Sequence, residues 1–137
     1  MNATIRQFYG ENDEQEVTIG VSGSAFSGSV VAYDDHRKLA AICKRVSGFP
    51  LRPDDAISFD YGIFDRLKVS LSANAKGHVS VTAVLEKWGA PAGQYQEAMS
   101  VQFWCDPSTL DAFRRSITAF EPDVPSEALL VGRAAEH

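Results

Sequence analysis

A chain of 137 residues with 45% apolar and 23% charged side chains fits one globular domain, large enough to bury a core without disulfides or metal. Its net charge of −5, with acids gathered in residues 1–16 and 91–137, argues against the basic stripe that grips a nucleic-acid backbone and suits a basic or cationic protein partner. Cys43 and Cys105 make no paired motif, no apolar run reaches the ~18 residues of a membrane span, and the N-terminal MNATIRQFYG lacks the basic-then-apolar pattern of a signal peptide, so no membrane partner and a reducing, cytoplasmic setting are expected.

In chain order, TIRQFY is a first candidate strand, followed by EVTIGV with Val17, Ile19 and Val21 on one face. A turn at Gly23 leads to FSGSVVAY, where Phe26, Gly28, Val30 and Ala32 alternate with Ser27, Ser29, Val31 and Tyr33. The spacing then becomes helical: Leu39, Ile42, Cys43 and Val46 share one face, behind a capping Asp35 and ahead of Gly48 and Pro50. ISFDY sets Ile57, Phe59 and Tyr61 together, GIFD links it to LKVSLS with Leu67, Val69 and Leu71, and NAKG turns at Gly77. HVSVTAVLEKW carries Val79, Val81, Ala83 and Leu85, WGAPAGQ is a longer loop, and YQEAMSVQFW carries Met99, Val101 and Phe103.

A second helix has Leu110, Phe113, Ile117 and Phe120 on its stripe, Asp106 as cap, Pro107 at its first position and Pro122 beyond its end. The domain is expected over residues 1–121. Residues 122–137, with two prolines and then Leu129, Leu130 and Val131, read as a final helical turn or a loose tail.

Ser29–Phe49 aligns without a gap to Ser100–Phe120 at an offset of 71, with Ser, Val, Asp, Leu, Ala and Phe recurring in place. The repeated unit is a strand running into an amphipathic helix. Either duplication with divergence or convergence on one solution accounts for it. Two copies can bury both helix stripes on one sheet face, which predicts an α+β fold: an antiparallel sheet of about six to seven strands with two amphipathic helices on one face.

Catalytic and metal motifs are weak. His36, His78 and His137 are not grouped with the cysteines at zinc-ligand spacing, so no metal or other cofactor is expected. Cys43 lies about two helical turns from His36, roughly 10 Å, too far for a thiolate–base pair. SGSAFSG lacks the lysine and spacing of a phosphate loop. The sheet face away from the helices should be solvated and mostly small and polar. Tyr33, Trp88 and Trp104 break that rule, and aromatics standing on a polar platform make good protein anchors. With the mid-strand Asp60, Glu86 and Gln102 on the same face, they form the candidate partner-binding set; closure of a minor core by the aromatics is the alternative.

KGHVSVTAVLE, a following strand and DPSTLDAFRRSI resemble, over roughly Val17 to Phe120, small bacterial immunity proteins of polymorphic toxin systems, including the WapI-inhibitor-like group. The resemblance implies a non-enzymatic protein that binds and blocks a cognate toxin in the cytoplasm of the producing cell. Two other readings stay open: a ligand-binding or enzymatic domain with a pocket between helices and sheet, using His78 or Cys105, and a structural module that oligomerises through an open sheet face or edge.

Overall fold

The computed structural model describes residues 1–11, 14–89, 93–120 and 126–134. In chain order the elements are β1 (Asn2–Glu11), β2 (Glu14–Ser22), β3 (Ser27–Asp35), α1 (Lys38–Val46), β4 (Ala56–Tyr61), β5 (Arg66–Ala73), β6 (Val79–Gly89), β7 (Gln94–Cys105), α2 (Pro107–Thr118) and β8 (Ser126–Val131). The fold is α+β, with two helices and eight strands.

The strands form two antiparallel sheets of four, ordered β3-β2-β1-β8 and β4-β5-β6-β7, which corrects the expected single sheet of six to seven strands. Alternation assigns each side chain to a dry or a wet face and leaves the choice of neighbouring strand open. Here α1 intervenes after β3, so β4 does not return to β3 as a hairpin and opens the second sheet instead.

A second correction concerns the C-terminal segment. Residues 126–131, read as a helical turn or loose tail, form β8, paired with β1 from Asn2↔Val131 to Gln7↔Ser126. Ala128 and Leu130 point into the core, whereas Leu129 and Val131 stay half exposed. Only these two inward positions carry the alternation, too short a pattern to separate from an irregular apolar patch.

The two sheets are built alike. Each is a three-strand meander that ends in a helix, and each is completed by the strand following the helix of the other half: β8 joins β1, and β4 joins β5. Residues 71 apart then meet in space. Gly28 lies against Met99, where a Cβ on the glycine would sit 3.0 Å from the Met99 sulfur. The Cys43 thiol approaches the Arg114 carbonyl at 3.7 Å. Contact between equivalent positions places them beside a pseudo-two-fold axis.

The chain also crosses between sheets at two matched corners. Past β4, the Ile63 N–H donates to the Tyr33 carbonyl of β3 (3.0 Å). Past β8, Arg133 and Trp104 exchange backbone hydrogen bonds of 2.8 and 2.9 Å. Each corner has a glycine before the bridge. Gly62 has φ +112°, a region L side chains rarely adopt. At Gly132 a Cβ would run into the Phe103 ring and lie 2.6 Å from the Trp104 carbonyl oxygen.

The inner faces of both sheets and both helix stripes share one core. Val17, Ile19 and Ala32 from the first sheet, Leu71, Val81 and Phe103 from the second, and Ile42, Leu110, Phe113 and Ile117 from the helices are all buried within it. Each large aliphatic or aromatic side chain so buried stabilises the fold by roughly 1.5–3 kcal/mol. Between helices and sheets remains a void of about 30 Å³ walled by such residues. That is room for a water at most, and the walls offer it almost no hydrogen-bond partner.

Capping differs between the helices. Asp106 is the N-cap residue of α2, but its side chain makes no capping hydrogen bond, which corrects that expectation; its backbone carbonyl accepts from the N–H groups of Thr109 and Leu110, and Pro107 occupies the next position as predicted. Asp35 is not the α1 cap, which corrects that expectation; Arg37 is. The Asp35 carboxylate instead accepts the Arg37 backbone N–H (2.8 Å) and its guanidinium (2.9 and 3.0 Å), closing a tight turn before the helix. Those bonds hold its carboxyl well below the usual carboxylate range.

Candidate functional site

The six predicted partner-binding residues all face away from the core, but they divide between the two sheets. Tyr33 ends β3 at one corner of the fold, and Trp104 ends β7 at the other, so these repeat-equivalent aromatics do not share a surface. Trp104 is half buried beside Asn74, His78, Arg133 and Ala134, partly covered by the chain that follows β8. Asp60 pairs with Lys38 at 3.3 Å and ties β4 to α1. Glu86 lies between Arg66 (3.1 Å) and Lys68 (3.7 Å) on neighbouring β5, a pair set up by the Arg66↔Glu86 register. The Gln102 amide donates to the Ser80 hydroxyl on β6 (3.2 Å).

The remaining predicted aromatic, Trp88, belongs to a larger apolar feature. The Phe64 and Trp88 rings stack tilted, with centroids 5.9 Å apart. Phe64 is 62% exposed, its neighbour Ile63 is 59% exposed, and Tyr33, bridged to Ile63, is 49% exposed. Three bulky side chains are thus presented to solvent at one corner, with Trp88 behind one of them. Burying them against a partner would be worth roughly 1.5–3 kcal/mol each.

In sequence GIFD reads only as a link, although it sets two bulky apolar residues between a turn glycine and a turn aspartate, where polar residues are the norm.

The loop that presents Ile63 and Phe64 is held at both ends. Asp34 accepts the Gly62 N–H (2.8 Å) with one carboxylate oxygen and the Asp35 N–H (2.7 Å) with the other. Asp65 accepts the Trp88 N–H (2.8 Å) and pairs with Lys87 (3.5 Å). Beneath, the buried Tyr61 hydroxyl bonds the carbonyl and the side-chain oxygen of Gln15 at 3.3 and 3.2 Å. Burial, with the Asp34 charge, pushes the Tyr61 phenol well above its ordinary value. Glu16, Asp34, Asp35, Asp60 and Asp65 lie around this corner together with Arg37, Lys38, Arg66, Lys68 and Lys87, so its rim carries charges of both signs. An apolar centre with a charged, polar rim is the usual make-up of a protein interface.

A second concavity, about 400 Å³, opens at the helix pair, lined among others by His36, Cys43, Lys44, Arg114, Thr118 and Phe120. Its thiol is poorly suited to nucleophilic work: burial raises the Cys43 pKa, and its sulfur contacts the Arg114 carbonyl. His36 lies 3.6 Å from Asp35. Cys105, on the inner face of β7, is pushed up to about 11 by burial and by Asp106. His78, which precedes β6 on the outer side, does not converge with it. Among the described residues no group of three or more His, Cys, Asp or Glu is placed to hold a metal ion, and no helix is long and apolar enough to cross a membrane.

Two consequences for the thiols are measurable. Cys105 should react with a disulfide reagent at pH 8 only as fast as the protein opens, and immediately in concentrated guanidinium; fast native-state reaction of Cys105 would contradict its burial. For stability, the raised Cys105 pKa means that the unfolded chain releases this proton first. The contribution of the protonated Cys105 is therefore fully present below about pH 9 and is lost as pH climbs towards 11, with Tyr61 adding to the loss at the alkaline end. Urea midpoints across that range test the sign.

No protein-family model, no curated protein and no solved structure matches this chain.

Proposed function

We propose that this chain is a non-enzymatic binding protein that seats another protein on the corner formed by Tyr33, Ile63, Phe64 and Trp88. The observation that carries this reading is the display of Ile63 and Phe64: both are mostly exposed, yet their loop is fixed by the Asp34 and Asp65 carboxylates. Loops that merely connect strands have no need to hold apolar side chains in water. A pre-ordered apolar patch loses little entropy on binding and supplies the central contacts typical of interfaces.

The partner class follows from the resemblance to immunity proteins: a cognate bacterial toxin, bound and neutralised in the cytoplasm. Of the residues first singled out, Tyr33 and Trp88 belong to this corner and Asp60 and Glu86 flank it, whereas Gln102 and Trp104 lie elsewhere on the second sheet. The matched halves also support tandem duplication of a unit of three strands, a helix and a strand as the origin of the fold.

The test uses the purified chain as bait against proteins of its source organism, beside a Phe64→Ser bait. A toxin domain retained by the native bait, at least tenfold weaker on Phe64→Ser and inactive when bound is the expected result. Equal retention by both baits would remove the corner from the interface. Recovery of no toxin at micromolar bait would remove the immunity reading.

A further inference from the structure

The chain is made of two halves that complete one another. The first, β1 to β4, and the second, β5 to β8, each build three strands of one sheet and supply the fourth strand of the other. β4 pairs with β5 from Ala56↔Ser72 to Tyr61↔Leu67, and β8 pairs with β1 from Asn2↔Val131 to Gln7↔Ser126. Each supplied strand travels with its own helix, α1 against β4 and α2 against β8, and the two helices meet over the shared core. A half by itself therefore has a three-stranded sheet with an open edge, and a fourth strand with nothing to pair.

One connection joins the halves, residues 62–65, and its bonds divide between them. The N–H groups of Gly62 and Ile63 donate to Asp34 and to the Tyr33 carbonyl, both in the first half. Phe64 stacks on Trp88 and Asp65 accepts the Trp88 N–H, both in the second half. The boundary thus falls at the Ile63–Phe64 peptide bond. The reversal there is tight. Gly62 has φ +112°, and a Cβ on it would run into the Asp65 carbonyl and lie 2.9 Å from the Arg66 Cα. Short, constrained links between interlocked units are the hinges at which copies of a chain exchange elements. The ladders themselves are indifferent to whether β4 and β5, or β8 and β1, belong to one chain or to two.

We propose that a second copy of this chain is a partner, and that the two pair by exchanging halves at the 62–65 hinge. The first half of each chain packs on the second half of the other, through the β4–β5, β8–β1 and helix–helix contacts that a single chain makes within itself. Only the hinge changes, from a reversal to a straight run of β4 into β5, so both demands on Gly62 lapse. That change also removes the loop that presents Ile63 and Phe64, which leaves the Tyr33–Phe64 corner to the monomer. The pairing itself does not depend on what the corner binds.

The test is the mass, by light scattering, of full-length chains refolded from urea at high concentration. Gly62→Val penalises the closed hinge and spares the open one, so it should raise the dimer-to-monomer ratio over the native chain by about a hundredfold or more. Gly132→Val is the control: its clash with Phe103 and Trp104 lies wholly within the second half and persists in either form, so the ratio should not rise. A cysteine pair reports which chain each half comes from. Ser58 and Ser70 are exposed and directly opposite on β4 and β5, within reach of a disulfide once both are changed to cysteine. With Ser58→Cys and Ser70→Cys added to Gly62→Val, oxidation of the dimer should join two chains, which then run as a covalent dimer under denaturing conditions, whereas the monomer closes its link within one chain. An unchanged ratio in Gly62→Val, an equal rise in Gly132→Val, or a dimer whose links stay within single chains overturns the proposal. Should Gly62→Val not fold, the cysteine pair in the otherwise native chain gives the same readout: interchain links that rise with refolding concentration support exchange, and their absence at millimolar chain overturns it.

Discussion

Removing residues 126–137 is expected to abolish cooperative folding. The deletion takes β8 from the edge of the first sheet, exposes the β1 backbone along its register from Asn2 to Gln7, and strips Ala128 and Leu130 out of the core. Its partner helix α2, which packs on β8, loses one wall. A domain of this size holds only about 5–15 kcal/mol of net stability, and loss of a whole strand consumes most of it. Far-UV circular dichroism during urea titration should show a broad, non-cooperative change. A synthetic peptide covering residues 126–133 should restore a sigmoidal transition in a concentration-dependent way. A truncated chain that unfolds sharply at the native midpoint would show β8 to be dispensable.

Second in size are the corner glycines. Gly62→Val must place a β-branched residue at φ +112° and drive its Cβ into the Asp65 carbonyl. Gly132→Val meets no such backbone restriction, but its Cβ collides with Phe103 and the Trp104 carbonyl, neither able to retreat cheaply. Each substitution should cost about 3 kcal/mol or more, lowering the urea midpoint by about 1 M or more. Gly77 supplies the control. It too has positive φ (+84°), yet nothing lies within 4 Å of an added Cβ. Gly77→Ala should therefore cost only about 1 kcal/mol, the price of the left-handed backbone alone. Equal losses at all three sites would mean that the corners are not sterically special.

Local structure was legible in the residues to a degree that global structure was not. Alternation in LKVSLS and HVSVTAVLEKW placed Leu67, Val69, Val79 and Val81 inward, and the structure buries them. Helical spacing likewise identified the buried stripes Leu39–Val46 and Leu110–Ile117. These signals are local because a side chain's facing depends on backbone period alone. Which strands pair depends on where distant segments find complementary edges, and no period records that. The 71-residue echo came closest: it contained the symmetry, but not the exchange of β4 and β8 that divides one expected sheet into two.

The candidate site was legible in part for a related reason. Tyr33 and Trp88 stood out as large aromatics on polar faces. Ile63 and Phe64 gave a signal that a turn assignment absorbed, because a four-residue link carries no periodicity to violate. Glu86 and Gln102 satisfied the facing rule but proved engaged with Arg66 and Ser80 on adjacent strands, contacts that only the register reveals.

The exchanged strands impose an order on biosynthesis. The second sheet is contiguous, from β4 to β7, and can assemble as soon as residue 105 clears the ribosome. The first sheet needs β8 beside β1, so β1 keeps a bare flank until residue 131 has been made. During that interval the nascent N-terminal meander is the natural client for a chaperone.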